Sequence, residues 1–363
     1  MHHRNSFLPA SIMLALAGAL QLAARKCPGF GQWYAVHIYP VIVSVIGRIM
    51  GLLPFSVVEF GLYTLVLLCL VFAVRNIRKP LRLLSGLYCL VSSLALVFTL
   101  NCGINYYRHP FSYNSGLVIQ ESSTAELYAL CSYLADQINA AKDDMDIPVP
   151  YEGQTSETPG PGFGDLLNYG AEARTAMAGL GREFPELDGF YPQPKPLLLS
   201  RILSVQQLCG IYSPFTVEAN YNREMPRYNI PHTICHELSH LKGFMREDEA
   251  NFIGYMACIG SDNAQFRYSG YLMGWVYAGN ALAKADIDAY ISLYQRLPQE
   301  AVADLQYNNN FWARYDGQVA EASSKMNDAY LKMQNQTDGV QSYGRMVDLM
   351  LAYYREQLSS GDN

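Results

Sequence analysis

The chain has 363 residues with 26 basic and 32 acidic side chains, which gives a net charge of −6. This charge is unevenly divided, because residues 1–110 carry nine basic residues and one acid, Glu59, which leaves −14 for the remainder. Such a division excludes one uniform globular domain. It also argues against a nucleic-acid partner, because the acidic remainder would repel phosphate.

Three apolar stretches near the N-terminus have the length of membrane-spanning helices, and they cover residues 8–24, 55–74 and 83–103. The first precedes Arg25 and Lys26 and lacks a small-x-small cleavage site, which favours a retained helix over a signal peptide. A fourth apolar stretch, Tyr34–Leu53, is compatible with a helix along the membrane surface, a re-entrant segment or an ordinary buried helix. The sequence therefore predicts a membrane region with three transmembrane helices over residues 1–104.

The loop between the second and third predicted helices contains four basic residues: Arg75, Arg78, Lys79 and Arg82. Cytoplasmic loops are enriched in such residues, so this loop is expected in the cytoplasm. The third helix then crosses outward, which predicts an extracytoplasmic domain over residues 105–363 of a multi-pass cell-membrane protein. In this arrangement Arg25 and Lys26 lie on the outer side of the membrane, which is an exception to the enrichment of basic residues in cytoplasmic loops.

The second region is predominantly helical by its apolar periodicity. The exception is Phe215–Tyr221, whose alternating pattern predicts a short strand. This strand is expected either at the edge of a sheet, where it would pair with an extended peptide, or as an ordinary core strand. The fold class is therefore mainly α, with N-terminal transmembrane helices followed by a mostly helical domain with a short β element.

The residues that carry chemistry are concentrated in the motif H-E-L-S-H over residues 236–240. Residues four apart lie on one face of a helix, so the imidazoles of His236 and His240 can reach a single metal ion. Glu237 projects near that face and can accept a proton from water activated by the metal. The alternative is an accidental match on a surface helix. Against it, three of the four histidines after residue 105 lie within residues 232–240.

The third ligand is expected to be a carboxylate, because no histidine follows His240. Residues 247–251 read E-D-E-A-N, which gives the pattern E-x-x-A-N. With H-E-x-x-H, this pattern resembles the zinc metallopeptidases of the gluzincin type, whose second motif is E-x-x-A-D. The resemblance implies a zincin-like domain in which His236, His240 and Glu247 bind Zn²⁺. It also implies that Asn251 occupies the position of an aspartate that bonds to a ligand histidine.

The sequence departs from that pattern in two respects. Asn251 brings no charge to the histidine that it would contact. Only six residues separate His240 from Glu247, and Gly243 can permit the sharp turn that this spacing requires. Glu249 is the alternative third ligand. His232, one turn before the motif, can join the row of ligands but is more simply a supporting or helix-capping residue.

Peptide hydrolysis also needs a hydrogen-bond donor for the developing oxyanion. Tyr343 and Arg345 are candidates, because they lie in a polar segment that follows Gly339, and such segments often line pockets. Tyr221 is another candidate. Most of the 27 tyrosines must have packing roles instead.

Four segments and the apolar N-terminal helices give the chain a wider resemblance. The segments read PFTVEANYN, IPHTICHELSH, REDEANF and NDAYLKMQNQTDGVQSYGRMVDLMLAYY. Through them the chain resembles an uncharacterised bacterial membrane family, domain of unknown function 3810. The resemblance implies an integral membrane protein with a metallopeptidase-like site, and it names no substrate.

These residues together predict a membrane-anchored zinc metallopeptidase that hydrolyses a peptide or protein substrate and has the lipid bilayer as its other partner. A non-catalytic signalling or assembly protein with a structural metal site is the alternative from a different class. Hydrolysis of a lipid or cell-wall amide is a third possibility. Replacing Glu237 by Gln separates the first two, because only an enzyme loses turnover while both keep the metal.

Overall fold

The computed structural model describes residues 7–145, 163–333 and 345–361, and most of these residues are helical. The N-terminal part forms five helices and then a π-helical turn over Thr99–Gly103 and a 3-10 turn over Asn105–Tyr107. The helices are α1 Leu8–Lys26, α2 Phe30–His37, α3 Tyr39–Gly51, α4 Val57–Asn76 and α5 Pro80–Phe98.

The remaining part, which we call the large region, adds eleven described helices and a small sheet. Its helices are α6 Phe111–Ser115, α7 Thr124–Asp143, α8 Phe163–Glu183, α9 Arg201–Ser204, α10 Asn229–Leu241, α11 Glu247–Ile259, α12 Ala264–Ala285, α13 Ile287–Tyr294, α14 Gln299–Ala313, α15 Gln318–Met333 and α16 Arg345–Ser360. Its strands are β1 Lys195–Pro196, β2 Gly210–Ser213 and β3 Glu218–Tyr221, in the order β1-β3-β2. The predicted fold class is confirmed, since helices dominate and β structure is short.

Four helical segments are long and apolar enough to cross a membrane: Leu8–Lys26, Phe30–Gly51, Val57–Asn76 and Pro80–Tyr107. Three of them coincide with the predicted transmembrane helices. The remaining one, Phe30–Gly51, overlaps the stretch whose placement the sequence left open. The chain is therefore a membrane protein by the length and composition of its helices.

The segment Phe30–Gly51 contacts the large region near both of its ends. It is divided at Ile38, which precedes a proline in the first turn of α3. Near its start, Gln32 accepts a hydrogen bond from the amide of His109 at 3.0 Å. Near its end, the backbone carbonyl of Met50 accepts a hydrogen bond from Lys195 at 2.7 Å. The segment thus runs along the large region rather than away from it.

Helix α4 is joined to the large region by two reciprocal carboxylate contacts. Glu218 of β3 accepts hydrogen bonds from the amides of Val57 and Val58, at 3.1 and 2.9 Å. Glu59 of α4 accepts hydrogen bonds from the amides of Leu198 and Leu199, both at 2.8 Å. The first turn of a helix has unpaired amides and a partial positive charge, so a carboxylate is a favourable partner there.

The Glu218 carboxylate also forms a buried ion pair. Lys195 lies 2.5 Å from it, and both side chains are 2% exposed. Lys195 donates its second hydrogen bond to Met50, as described above. Both charged groups of the pair therefore have further hydrogen-bond partners, Met50 for Lys195 and the amides at the start of α4 for Glu218. The pair connects α3, α4 and the sheet at one point.

Helices α10 and α11 lie at the centre of one continuous hydrophobic core. Twelve residues of α10 and eleven of α11 are buried, and helices α8, α12 and α16 and the sheet pack around them. Tyr39 and Val43 of α3 belong to the same core. The N-terminal region and the large region consequently pack into the same core.

Candidate metal centre

Helix α10 has an apolar side and a polar side, and this division determines where its histidines lie. The apolar side consists of fully buried Ile230, Ile234, Leu238 and Leu241, which recur at helical spacing. His236 and His240 lie one turn apart on the other side, with side chains 13% and 11% exposed. Their rings are 4.6 Å apart between centroids. The predicted helix and its pair of adjacent imidazoles are thus present.

A short turn brings α11 back against α10. Gly243 has φ +89°, a conformation that favours glycine, and α11 begins at Glu247. At Gly254 a Cβ atom would lie only 3.1 Å from the backbone nitrogen of His236. Gly254 follows fully buried Ala250 by four residues, and small residues at this spacing let two helices approach closely. The turn at Gly243 agrees with the prediction, whereas the close approach at Gly254 was not anticipated.

His236, His240 and Glu247, which we call the His-His-Glu cluster, each direct one ligand atom to a common point. The Nε2 atom of His236 lies 3.3 Å from one oxygen of Glu247, and that of His240 lies 3.6 Å from the other. One ligand atom from each of the three residues lies within 4.8 Å of the others. Ligands bound to a tetrahedral zinc ion at its usual bond lengths are separated by roughly 3.3 Å. The cluster therefore has a donor set and spacing that fit such an ion.

Neighbouring groups orient the two histidines differently. The Nδ1 atom of His240 lies 2.8 Å from the carbonyl of Phe244, a contact that directs its Nε2 atom toward Glu247. The Nδ1 atom of His236 is buried without a hydrogen bond to the described residues, and the side chain of Asn251 lies beside this ring. Asn251 is therefore a neighbour of one of the two imidazoles.

Burial and the Glu247 charge act in opposite directions on the two imidazoles. Burial lowers the pKa of His240 to about 4, despite the opposing effect of Glu247. Burial also lowers the pKa of His236, but the hydrogen bond and charge of Glu247 outweigh it, so this pKa lies above its ordinary value. Neutral imidazole is the form that binds metals, so His240 is already in its ligating state at neutral pH.

Glu237 lies between α10 and strand β2. Burial raises the pKa of its carboxyl to about 8, and the backbone amide of Tyr212 donates a hydrogen bond to it. At Gly210 a Cβ atom would lie 2.5 Å from Oε1 of Glu237, so only glycine leaves room for this carboxyl. Its Oε2 atom is buried without a hydrogen-bond partner among the described residues. That oxygen is available to a ligand or a water molecule.

The strand beside Glu237 is β2, and it lies at the edge of the described sheet. Strand β3 pairs with β1 on one side and β2 on the other, and all four of its residues are buried. Of the two alternatives for the predicted strand Phe215–Tyr221, the structure has the core strand rather than the edge strand. The strand begins only at Glu218. Edge position belongs instead to Gly210–Ser213, whose four residues give too short a pattern to recognise in the sequence.

Two candidates near the motif lie outside the His-His-Glu cluster. Glu249 is 4% exposed and accepts hydrogen bonds from the amide of Phe111 at 3.1 Å and from Arg246 at 3.2 Å. The alternative third ligand is thus engaged elsewhere. His232 has its Nε2 atom 3.1 Å from the backbone carbonyl of Asn251. It supports the crossing of α10 and α11, in agreement with the supporting role considered for it.

The three oxyanion candidates have different positions. Tyr221 is fully buried and donates its hydroxyl to the carbonyl of Leu166 at 3.2 Å, so it is a core residue. Arg345 donates to Asp248 at 3.0 Å, beside the start of α11. Tyr343 lies outside the described residues.

Tyr277 of α12 and Cys209 lie near the cluster, and no motif in the sequence marks either of them. Burial raises the pKa of Tyr277, and the nearby charges of Cys209 and Glu247 raise it further. Burial also raises the pKa of Cys209 to about 12, with Glu237 adding to the effect. Tyr277 thus has a hydroxyl that is affected by the charge of Glu247.

A comparison with protein families gives one match over most of the chain. The family model described as a protein of unknown function (DUF3810) matches residues 34–351, so the chain belongs to this family. No curated protein and no solved structure matches the chain. The predicted family is confirmed, and the relationship to gluzincins stays a prediction.

Proposed function

We propose that this DUF3810 protein is a membrane-anchored zinc metallopeptidase whose metal is held by His236, His240 and Glu247. The observation that carries the proposal is the closeness of these three side chains. The Nε2 atoms of His236 and His240 lie 3.3 and 3.6 Å from the two oxygens of Glu247, and one ligand atom of each residue lies within 4.8 Å of the others. Two imidazoles and one carboxylate, with a position left for water, form a donor set typical of catalytic zinc. The buried Oε2 of Glu237, without a partner among the described residues, lies on the same helix.

The bound zinc ion would supply a Lewis acid that polarises a carbonyl group and makes water more acidic. Glu237, as a carboxylate, would take the proton of the attacking water on Oε2 and deliver it to the leaving amine. The positive charge of the bound ion would favour this ionised form, against the burial that raises the pKa of the carboxyl. The amide of Tyr212 holds the other side of this carboxyl in position. Strand β2 lies at the edge of the described sheet beside Glu237, and an extended peptide would lie along it. Tyr277 is our candidate donor to the oxyanion.

We further propose that α1, α4 and α5 cross the membrane and that α2 and α3 lie along its outer surface. The contacts of Phe30–Gly51 with the large region near both ends support this placement. Helix α1 runs parallel to α5, because Ser11 contacts Tyr88 and Arg25 lies 5.8 Å from the ring of Tyr107. Both helices then end beside the large region. The basic loop at residues 75–82 supports a position of that region outside the cytoplasm.

The test uses the full-length chain in detergent, with zinc measured by elemental analysis and cleavage of a mixed peptide library measured by mass spectrometry. We expect one zinc ion per chain in the unmodified protein and in Glu237→Gln, and a large loss of zinc in His236→Ala. Cleavage is expected only in the unmodified protein. His37→Ala is the matched control, because this histidine is exposed and contacts the backbone carbonyl and the ring of Trp33, both within α2.

Two results would count against the proposal. Equal zinc in the unmodified protein and His236→Ala would remove the metal site. Unchanged cleavage in Glu237→Gln would remove the proposed proton transfer. Zinc binding without cleavage in any variant would support the structural or signalling alternative instead.

A further inference from the structure

The large region carries an exposed apolar surface close to the start of α4. We call it the juxtamembrane patch, and it consists of Leu198, Leu199, Ile202, Val205, Ile211 and Phe215. Their side chains are between 37% and 53% exposed. Clustered apolar side chains of this size on a surface mark a contact with another apolar phase.

Two hydrogen-bonded contacts place this patch at the level where membrane helices end. At one side, Glu59 in the first turn of α4 holds the amides of Leu198 and Leu199. At the other, Asn101 at the end of α5 donates to the carbonyl of Pro214 at 2.6 Å. Helix α4 has 20 residues and is therefore about 30 Å long, the thickness of the hydrocarbon core. The patch therefore lies at the boundary of that core.

The register of the sheet places Ile211 on the side of the large region that faces the start of α4. Ile211 pairs with Asn220 in the register of β2 and β3, and Ser213 pairs with Glu218. Side chains two apart on a strand, and those of paired residues, share a face of the sheet. Ile211 is therefore on the face of Glu218, whose carboxylate caps α4.

Polar and aromatic residues around the patch fit the interface of a bilayer. Arg201 and Arg223 provide positive charge, and Arg223 donates to the carbonyl of Leu198 at 3.2 Å. Exposed aromatic side chains also occur near the start of α4, with Phe55 in the preceding loop and Phe60 and Tyr63 on the helix. Aromatic and basic residues at this depth are typical of a membrane–water boundary.

We infer that the lipid surface covers the juxtamembrane patch. Tyr212, which follows Ile211 of the patch, donates its hydroxyl to the carbonyl of Asn101 at 3.1 Å and its amide to Glu237. One residue next to the patch thus joins the turn after α5 to the carboxyl beside the cluster. The bilayer is preferred over a second protein because Leu198 and Leu199 of the patch are bonded to the first turn of α4, which is apolar enough to cross a membrane.

The test is photo-crosslinking of the full-length chain in nanodiscs of phosphatidylethanolamine and phosphatidylglycerol. A benzophenone amino acid replaces Ile202 in one variant and Phe215 in another, and mass spectrometry identifies the products. Ile287 is the matched control, because it is 53% exposed on α13, which packs on α7 and α12 away from α4. We expect lipid adducts at both patch positions, at least tenfold above the control.

The absence of lipid adducts at both positions, or cross-links to another polypeptide in their place, would overturn the inference. Variants at Leu198 and Val205 repeat the measurement if either first variant does not enter nanodiscs. The experiment needs neither zinc nor activity. Its failure therefore leaves the proposed peptidase untouched, and failure of the peptidase leaves the lipid contact untouched.

Discussion

Replacing Gly254 by alanine should loosen the crossing of α10 and α11. The new Cβ atom would lie 3.1 Å from the nitrogen of His236, 3.3 Å from the carbonyl oxygen of His232 and 3.4 Å from Cα of His236. These are backbone atoms of a buried helix, so the two helices must separate by a few tenths of an ångström. Overpacking of this kind costs about 1–3 kcal/mol. Alanine gains about 1 kcal/mol over glycine within a helix, so the net loss is about 0–2 kcal/mol.

The same separation should weaken zinc binding, because His236 moves while Glu247 begins the opposite helix. Loss of a supporting contact around a metal ligand commonly lowers affinity 10–100-fold, and we expect the lower end of that range. Thermal unfolding of the full-length chain measures the stability, and competition with a chelator measures the zinc affinity. Both use the protein in the same detergent.

Gly179→Ala is the control for the intrinsic effect of the substitution. Gly179 is exposed in α8, and nothing lies within 4 Å of its added Cβ, so this variant should gain about 0.5–1 kcal/mol. The difference between the two variants isolates the helix crossing and should be about 1–3 kcal/mol. If Gly254→Ala is stabilised as much as Gly179→Ala and binds zinc normally, the close crossing is wrong.

Three other predictions concern stability. Glu218→Gln leaves the buried charge of Lys195 unpaired and should cost about 3–5 kcal/mol, measured as a lower unfolding temperature, whereas an unchanged temperature would contradict the buried pair. Burial raises the pKa of Asp304 to about 6, so the unmodified protein should lose up to about 3 kcal/mol as pH rises from 4 to 6. Asp304→Asn keeps an acceptor for Tyr268 and should lack this loss; parallel pH profiles would refute the assignment. All eight cysteines lie in the described residues and are free, so a phosphine reductant should leave the unfolding temperature unchanged; a fall would indicate a disulfide.

Local spacing was sufficient to predict the centre of the candidate site. Residues four apart on a helix share a face whatever surrounds them, so His236 and His240 could be paired from the sequence. Gly243 and the short interval between His240 and Glu247 similarly predicted a tight turn, after which the next helix packs back against the first. The preference for Glu247 over Glu249 came from a resemblance, and the geometry supports it.

Contacts between distant segments could not be read in the same way. Strand β2 has four residues, and nothing local shows that the amide of Tyr212 would lie against Glu237. The segment Phe30–Gly51 is apolar enough to cross a membrane, and only its contacts with the large region indicate another placement. The core positions of Tyr39 and Val43 likewise depend on packing that no periodicity reports.

The reciprocal contacts at α4 have a consequence for biosynthesis. Met50 and Val57 leave the ribosome well before Lys195 and Glu218, their partners in the finished protein. The early segment is therefore made before its partners, and the Lys195–Glu218 pair gains its contacts with Met50 and Val57 only when the later chain folds back onto that segment. A chain truncated by its first sixty residues would keep the Lys195–Glu218 pair but lose the carbonyl of Met50 and the amides of Val57 and Val58 that satisfy it, so this part of the large region would be less stable.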